Sequence, residues 1–236
     1  MAKKGKRYKA NASKVTPDKL YTLEEAFQTL ASFEAPKFDE TVEAVFNLGV
    51  DPKQSDQMVR GATVLPHGIG KNIRVVAIVK GEAEKEAKDA GADHVGSADL
   101  IEKIAGGWLD FDRVIATPDT AKDLTKVARV LGPKGLMPNK KTGTVTDEVG
   151  RAVREQKLGT VNYKVEKAGI VHAIVGKRSF GADKLKQNFV ALYDSVMKAK
   201  PSSSKGIYMR RAHLATTMGP SIPLDPAKLE GAAKEG

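Results

Sequence analysis

Near the C-terminus, Ala215-Thr216-Thr217-Met218-Gly219-Pro220 sets hydroxyl side chains, a thioether and a glycine in succession at the end of a strand-like stretch. That set suits a ribose or a phosphate, because hydroxyls and a bare glycine amide can bond a 2′-hydroxyl while methionine covers a base or sugar face. A strand end leading into a turn is the plainer reading, and chemistry alone prefers it. Lys37-Phe38 poses a similar choice, since the ring can stack on a base or fill a core. Leu131 to Gly143 holds three glycines, two prolines and three lysines around Leu136 and Met137. Such a loop can contact a backbone phosphate, or it can be a surface loop with both apolar residues tucked into a sheet.

The residues that would do enzymology are poorly placed. The chain has no cysteine, which removes disulfides, thiolate metal sites and a cysteine nucleophile together and fits a reducing cytosol. His67, His94, His172 and His213 are scattered, with no i, i+4 pair and no acidic ligand at metal spacing, so no metal centre is expected. No Gly-x-Ser-x-Gly elbow is present. Gly68-Ile69-Gly70-Lys71-Asn72 lacks the spacing of a phosphate loop, puts Asn72 where a metal-binding hydroxyl is needed, and precedes a strand instead of following one. Carboxylates such as Glu82, Glu84 and Glu86 sit beside Lys85 and Lys88, the pattern of a solvated helix face.

The elements that must position these residues follow from hydrophobic period. Leu20, Leu23, Ala26, Phe27 and Leu30 recur at helical spacing, with Thr22 and Glu25 as a capping box, predicting a helix between Pro17 and Phe33. Val42, Ala44, Phe46, Leu48 and Val50 alternate with polar residues and predict a half-buried strand; Val59 to Leu65 reads as another. From Ile73 the pattern changes to short apolar runs, Ile73 to Val79 and Val114 to Ala116, alternating with helices over Glu82 to Ala90, Asp99 to Ala105 and Ala121 to Leu131. Alternation of that kind predicts a small parallel sheet with helices on both faces. Beyond Gly159, Val161 to Val165 and Ile170 to Val175 around a turn read as a hairpin, followed by a helix from Asp183 to about Lys198 and a strand-like stretch from Gly206 to Ala215. The tail from Pro220 reads as loosely held.

The expected fold class is therefore α/β, a discontinuous two-domain protein. Residues 1–66 and 159–236 form an α+β domain, and residues 67–158 form an inserted Rossmann-like α/β domain. Over 236 residues, 39 Lys and Arg oppose 29 Asp and Glu, a formal net charge of +10. Residues 67–158 carry 16 basic and 14 acidic residues, a net of +2, against 23 and 15 in the flanking segments, a net of +8. The ends should then carry the field that attracts a polyanion. With 41% hydrophobic residues the chain can bury a core, and it shows neither a membrane-length apolar run nor a signal-like segment behind its basic N-terminus.

Taken in order, these stretches resemble the large-subunit ribosomal protein L one family. The matching residues are Lys37 to Glu43; Asp56 to Gly61 leading to Leu65-Pro66-His67-Gly68; Gly91 to Gly96; and Gly107 to Asp112 with Ala116 to Asp119. Leu131 to Asn139 with Gly143-Thr144-Val145, Lys167 to Ile170, His172, Gly176-Lys177, Ser179-Phe180 and Thr216 to Pro220 complete a match covering almost the whole chain. It looks like a bacterial member.

The resemblance implies a non-catalytic constituent of the large ribosomal subunit, located in the cytoplasm on the ribosome, with no cofactor and no membrane partner. It implies binding to the stalk of large-subunit ribosomal RNA, assistance in releasing deacylated exit-site tRNA, and repression of the protein's own messenger RNA. RNA contacts carry over onto Lys37, Phe38, Thr41, Arg60, His172, Lys177, Thr217, Met218 and Gly219, with Lys134, Lys140 and Lys141 as secondary candidates. The competing expectation, an enzyme binding a phosphorylated ligand on its α/β domain, rests on fold class alone, which does not establish function.

Overall fold

A computed structural model describes residues 5–232, apart from the side chains of 141, 230 and 232. The chain divides into two compact units, one running to Gly70 and resuming at Val161, the other spanning Lys71–Thr160.

The first unit opens with α1 (Lys6–Ala12) and α2 (Leu23–Ala31). Thr22 starts α2 as its sequence requires: the Glu25 N–H donates to the Thr22 hydroxyl at 3.3 Å, and the Thr22 N–H donates to the Glu25 carboxylate at 3.0 Å. Such a box satisfies two donors that the first helical turn leaves free. Leu20 falls outside the helix and stands 54% exposed, so the apolar stripe begins at Leu23 instead. Then come β1 (Thr41–Leu48), whose Val42, Ala44, Phe46 and Leu48 are buried in strict alternation, and β2 (Arg60–Val64).

The second unit is a three-stranded parallel sheet. Its elements are β3 (Val75–Ile78), α3 (Glu82–Asp89), β4 (His94–Gly96), α4 (Ala98–Ala105) and β5 (Arg113–Ala116). Next are α5 (Pro118–Asp123), α6 (Ala128–Leu131) and α7 (Val149–Gly159). The strand order is β4-β3-β5, and every residue of β3 is buried, as a central parallel strand covered on both faces must be. The single helix expected over Ala121 to Leu131 is instead α5 and α6 joined by a 3-10 turn at Leu124–Val127. Leu124, Val127 and Leu131 are all buried, so packing of three closely spaced apolar residues outweighs regular helical continuation.

The chain returns through β6 (Thr160–Lys164), β7 (Ile170–Lys177), α8 (Ala182–Lys198), β8 (Met209–Thr216), β9 (Ile222–Leu224) and α9 (Pro226–Ala232). The expected hairpin is a tight turn, with the Glu166 N–H donating to the Ile170 carbonyl at 2.8 Å, but its arms part: β6 pairs with β2, while β7 joins a four-stranded sheet ordered β7-β1-β8-β9. Beyond that bond the arms are joined by an isolated bridge, Val165 to Val171. The tail expected to be loose is, as far as residue 232, a structural edge, and its last residues, 233–236, lie outside the described residues. Ile222 and Leu224 are at most 1% exposed, and β9 pairs with β8 through Leu214–Ile222 and Ala212–Leu224.

One face of this sheet packs on α2 and α8. Phe46 and Phe189 lie 5.7 Å apart between ring centroids, and Phe27 meets Phe189 edge-on at 6.3 Å. Asn188 on α8 is fully buried and fully used: its amide N donates to the Val175 carbonyl at 2.8 Å and the Gly68 carbonyl at 3.0 Å, and its oxygen accepts the His67 N–H at 3.0 Å. It ties the segment after β2 to α8 and β7, where burying an amide with any of those bonds missing would cost about 1–3 kcal/mol. Among the described residues no helix is long and apolar enough to cross a membrane.

Candidate nucleic-acid interface

Three segments distant in sequence meet at one end of the four-stranded sheet. Thr41 opens β1 and is paired with Lys177, the last residue of β7, while β8 ends with Thr216 opposite Val42. Thr217 therefore comes level with Thr41. The Thr217 N–H donates to the Thr41 carbonyl at 3.1 Å, the Thr41 N–H donates to the Thr217 hydroxyl at 3.1 Å, and that hydroxyl donates back to the Thr41 carbonyl at 3.3 Å. The Lys177 ammonium group donates to the Thr41 hydroxyl at 3.0 Å and to the Asp39 carbonyl at 3.4 Å.

A buried ion pair fastens this end. Glu40, 2% exposed, accepts from Arg178 at 3.2 Å with one carboxylate oxygen and from the Met218 N–H at 3.0 Å with the other. Arg178 also donates to the carbonyls of Ala31, at 3.3 Å, and Phe33. The Arg178 N–H donates to the Glu40 carbonyl at 2.9 Å, and Asp39 accepts from the Ser179 N–H and hydroxyl at 3.1 and 2.7 Å. The loop from Phe33 to Glu40, the 3-10 turn at Arg178–Phe180 and the turn after β8 thus share one anchor.

Anchoring the turn uses up its donors. The N–H groups of Thr217, Met218 and Gly219 go to the Thr41 carbonyl, the Glu40 carboxylate and the Thr216 carbonyl. The bare glycine amide expected to meet RNA is therefore already committed. The carbonyls of the same three residues accept no hydrogen bond among the described residues, so the turn presents acceptors. Gly219 is needed for another reason. A Cβ there would lie 2.3 Å from the Thr216 hydroxyl oxygen, which is buried without a hydrogen-bond partner among the described residues. Beside this polar knot stand large apolar groups in solvent: Phe38 is 52% exposed and Met218 50%, so neither fills the core.

The structure brings Thr41, Lys177, Thr217, Met218 and Gly219 together, with exposed Lys37 and Phe38 on the loop that enters the same anchor. His172 lies on β7 opposite Val45, four residues further along β1, about 14 Å from Thr41 at the usual rise of a strand. Arg60 is not part of this cluster. It is on β2 in the two-stranded sheet, and its guanidinium makes no hydrogen bond or ion pair among the described residues. Lys134 and Lys140 are exposed on the second unit, in a loop whose Leu136 and Met137 pack half-buried against that unit's core. The loop's return is fixed by Thr144, whose hydroxyl accepts the Asn139 N–H at 2.8 Å. The side chain of Lys141 lies outside the described residues.

Residues 30–220 match the model of the ribosomal protein L1p/L10e family. The chain belongs to this family. It is 55% identical over 222 residues to the large ribosomal subunit protein uL1 of Bdellovibrio bacteriovorus, covering 94% of this chain and 95% of that one. L1p/L10e membership makes the chain a structural, non-enzymatic component of the ribosome. The matched span takes in every residue of the cluster, whereas β9 and α9 lie beyond it.

Sequence reasoning missed the L1p/L10e chain's buried pair of Glu40 and Arg178. They are 138 residues apart, and neither hydropathy period nor local motif links them. The one available signal was an acidic residue directly preceding an apolar strand, in a position where the strand's first side chains must be buried.

Proposed function

We propose that this chain is the constituent of the large ribosomal subunit that holds the stalk region of large-subunit ribosomal RNA beside the tRNA exit site. The unit built from both chain ends carries the RNA contacts. Lys37, Phe38, Thr41, Arg60, His172, Lys177, Thr217, Met218 and Gly219 meet the RNA, and Lys134, Lys140 and Lys141 of the other unit add secondary contacts. By moving with the stalk the protein assists release of deacylated tRNA, and by binding a similar element in its own messenger RNA it represses its translation.

The observation that carries this reading is the convergence of Thr41, Lys177, Thr217 and Met218 on one anchored end of a sheet, with Phe38 and Met218 left in solvent. Folded RNA is recognised through shape, phosphates and 2′-hydroxyls. Here lysines meet phosphates, the free carbonyls of the turn accept from 2′-hydroxyls, and Phe38 and Met218 cover exposed base or sugar faces. Because the buried pair holds these groups in place before RNA arrives, little ordering cost remains at binding.

The test is an equilibrium titration against a stalk-region RNA fragment and a shuffled RNA of equal length at several salt concentrations. The reading predicts a preference for the stalk fragment that persists at high salt, with log affinity falling by about 0.7–0.9 per decade of salt for each phosphate neutralised. A leader segment of the protein's own messenger RNA should compete for the same site. Equal binding to both RNAs, collapsing together as salt rises, would leave only a basic surface and end the proposal.

A further inference from the structure

The loop that carries Lys37 and Phe38 is held at its two ends and nowhere between. Ala35, Pro36, Lys37 and Phe38 make no hydrogen bond among the described residues. After them, Asp39 is tied to Ser179, and Glu40 to Arg178 and the Met218 N–H. Before them the chain leaves α2, and a helix end leaves carbonyls without intrahelical partners. Four carbonyls in succession, those of Ala31 to Glu34, are taken by side chains from elsewhere in the chain. Arg178 donates to the Ala31 carbonyl at 3.3 Å and to that of Phe33, the Lys14 ammonium group donates to the Ser32 carbonyl at 2.5 Å, and the Asn11 amide donates to the Glu34 carbonyl at 3.2 Å.

Asn11 makes the last of these contacts a clamp. Besides donating to the Glu34 carbonyl, it accepts the Glu34 N–H at 2.7 Å. One amide therefore holds the peptide groups on both sides of Glu34 and fixes its backbone angles, immediately before the unsupported stretch. Pro36 then holds its own φ near −65° within that stretch. The placement of Asn11 is unusual for a helix. Asparagine is a poor helix former, and burying its amide is costly unless both ends are bonded. Yet Asn11, 2% exposed, is the only buried residue of α1, and no side chain of α1 joins the hydrophobic core. The one group that α1 buries is thus aimed at the start of the Phe38 loop.

We infer that Asn11 is a positioning residue for the RNA site: α1 is a brace whose buried amide sets the near end of the Phe38 loop, so that the ring is in place before RNA arrives. The inference rests on the proposed function, in which Phe38 meets RNA, and adds to it a residue that touches no RNA itself. With Glu34 and Asp39 both fixed, four residues span the gap and the ring has few orientations. Without the clamp the Glu34 peptide groups rotate, and the ring must be ordered again at each binding event. Ordering one side chain at an interface weakens binding by about 2- to 12-fold.

The experiment titrates the full-length chain and its variants N11A, N11D, F38A, N11A/F38A and N11D/F38A with the stalk-region RNA fragment, each well below its own unfolding midpoint. Glu34 is exposed, so water can serve its backbone groups once the amide is gone. N11D keeps the size and the acceptor but sets a carboxylate oxygen against the Glu34 carbonyl, and it carries the test if N11A does not fold. The brace predicts that N11A and N11D each weaken binding by about 2- to 12-fold, and that neither adds a loss to F38A, where no ring is left to position. Tryptic cleavage after the exposed Lys37 should also quicken in both variants relative to the other cleavage sites. The inference is overturned if N11A and N11D bind like the parent while F38A does not, or if cleavage after Lys37 is unchanged. Equal losses with and without Phe38 overturn it too, since a merely structural defect would act in that way. If F38A itself binds like the parent, the Phe38 contact of the proposed function fails and the brace falls with it.

Discussion

Replacing Glu40 with alanine strips the anchor from the interface while leaving every proposed RNA contact in the chain. The loss is large because both partners are withdrawn from water: side-chain exposure is 3% for Glu40 and 17% for Arg178. Glu40→Ala leaves a buried guanidinium without its counter-charge and the Met218 N–H without its acceptor. Removing one member of a buried pair costs about 3–5 kcal/mol, whereas removing both charges is far milder. For a chain of this size, about 2–4 °C per kcal/mol translates that into a fall of roughly 6–20 °C in the unfolding midpoint. The double variant E40Q/R178M should recover much of that stability. Its affinity for the stalk RNA should nevertheless stay at least about tenfold below the parent, a loss of about 1.4 kcal/mol, because the Arg178 guanidinium that ties residue 40 to the Ala31 and Phe33 carbonyls at the start of the Phe38 loop is gone, even though a glutamine oxygen can still accept the Met218 N–H. Circular dichroism melts and a filter-binding titration measure both quantities on the same samples. A melt of Glu40→Ala indistinguishable from the parent, or a double variant that binds RNA at full strength, would refute the reasoning.

The Gly219 contact and the His213 environment make separate predictions. Gly219→Ala places a methyl group 2.3 Å from the Thr216 hydroxyl oxygen and should cost about 1–3 kcal/mol in urea unfolding. In a Thr216→Ala background, where that oxygen is gone and no hydrogen bond has been lost, the same change should be nearly neutral. His213 titrates lower in the folded chain than unfolded, from burial first and Arg211 second. Above the unfolded value of about 6.5 both states are neutral and it adds no slope. As pH falls through that value the unfolded state takes up its proton first, so stability declines until the folded pKa is passed. Glu43, His172 and Arg211 share its sheet face, so the comparison is with His213→Asn at matched pH, which should show a flatter stability profile in that window.

The elements that local pattern could specify were legible. The Thr22–Glu25 box, the alternation through β1 and the apolar runs of the parallel sheet are written in neighbouring residues, and each appears where its period places it. What failed depended on long-range competition. Val161 to Val165 and Ile170 to Val175 looked like partners because a tight turn joins them, yet β1 and β2 offered β7 and β6 more complete pairings. The segment after Pro220 looked loose because proline, alanine and lysine dominate it, but Ile222, Leu224 and Leu229 are enough to seat it on the core. At the candidate interface the exposed residues could be named from sequence, and their support could not. The commitment of the turn's N–H groups, and with it the reversal from donor to acceptor, arises from Thr41 and Glu40, which reach the turn only through the fold.

The most direct test of the central claim removes the exposed apolar pair alone. Phe38→Ala/Met218→Ala takes away two uncharged side chains that stand half in solvent, so fold and charge should be preserved. Titrated against the stalk-region and shuffled RNAs across a salt series, the variant should lose most of the preference for the stalk fragment while its salt slope stays that of the parent. A preference undiminished by the double substitution would contradict the account, placing recognition somewhere other than this end of the sheet.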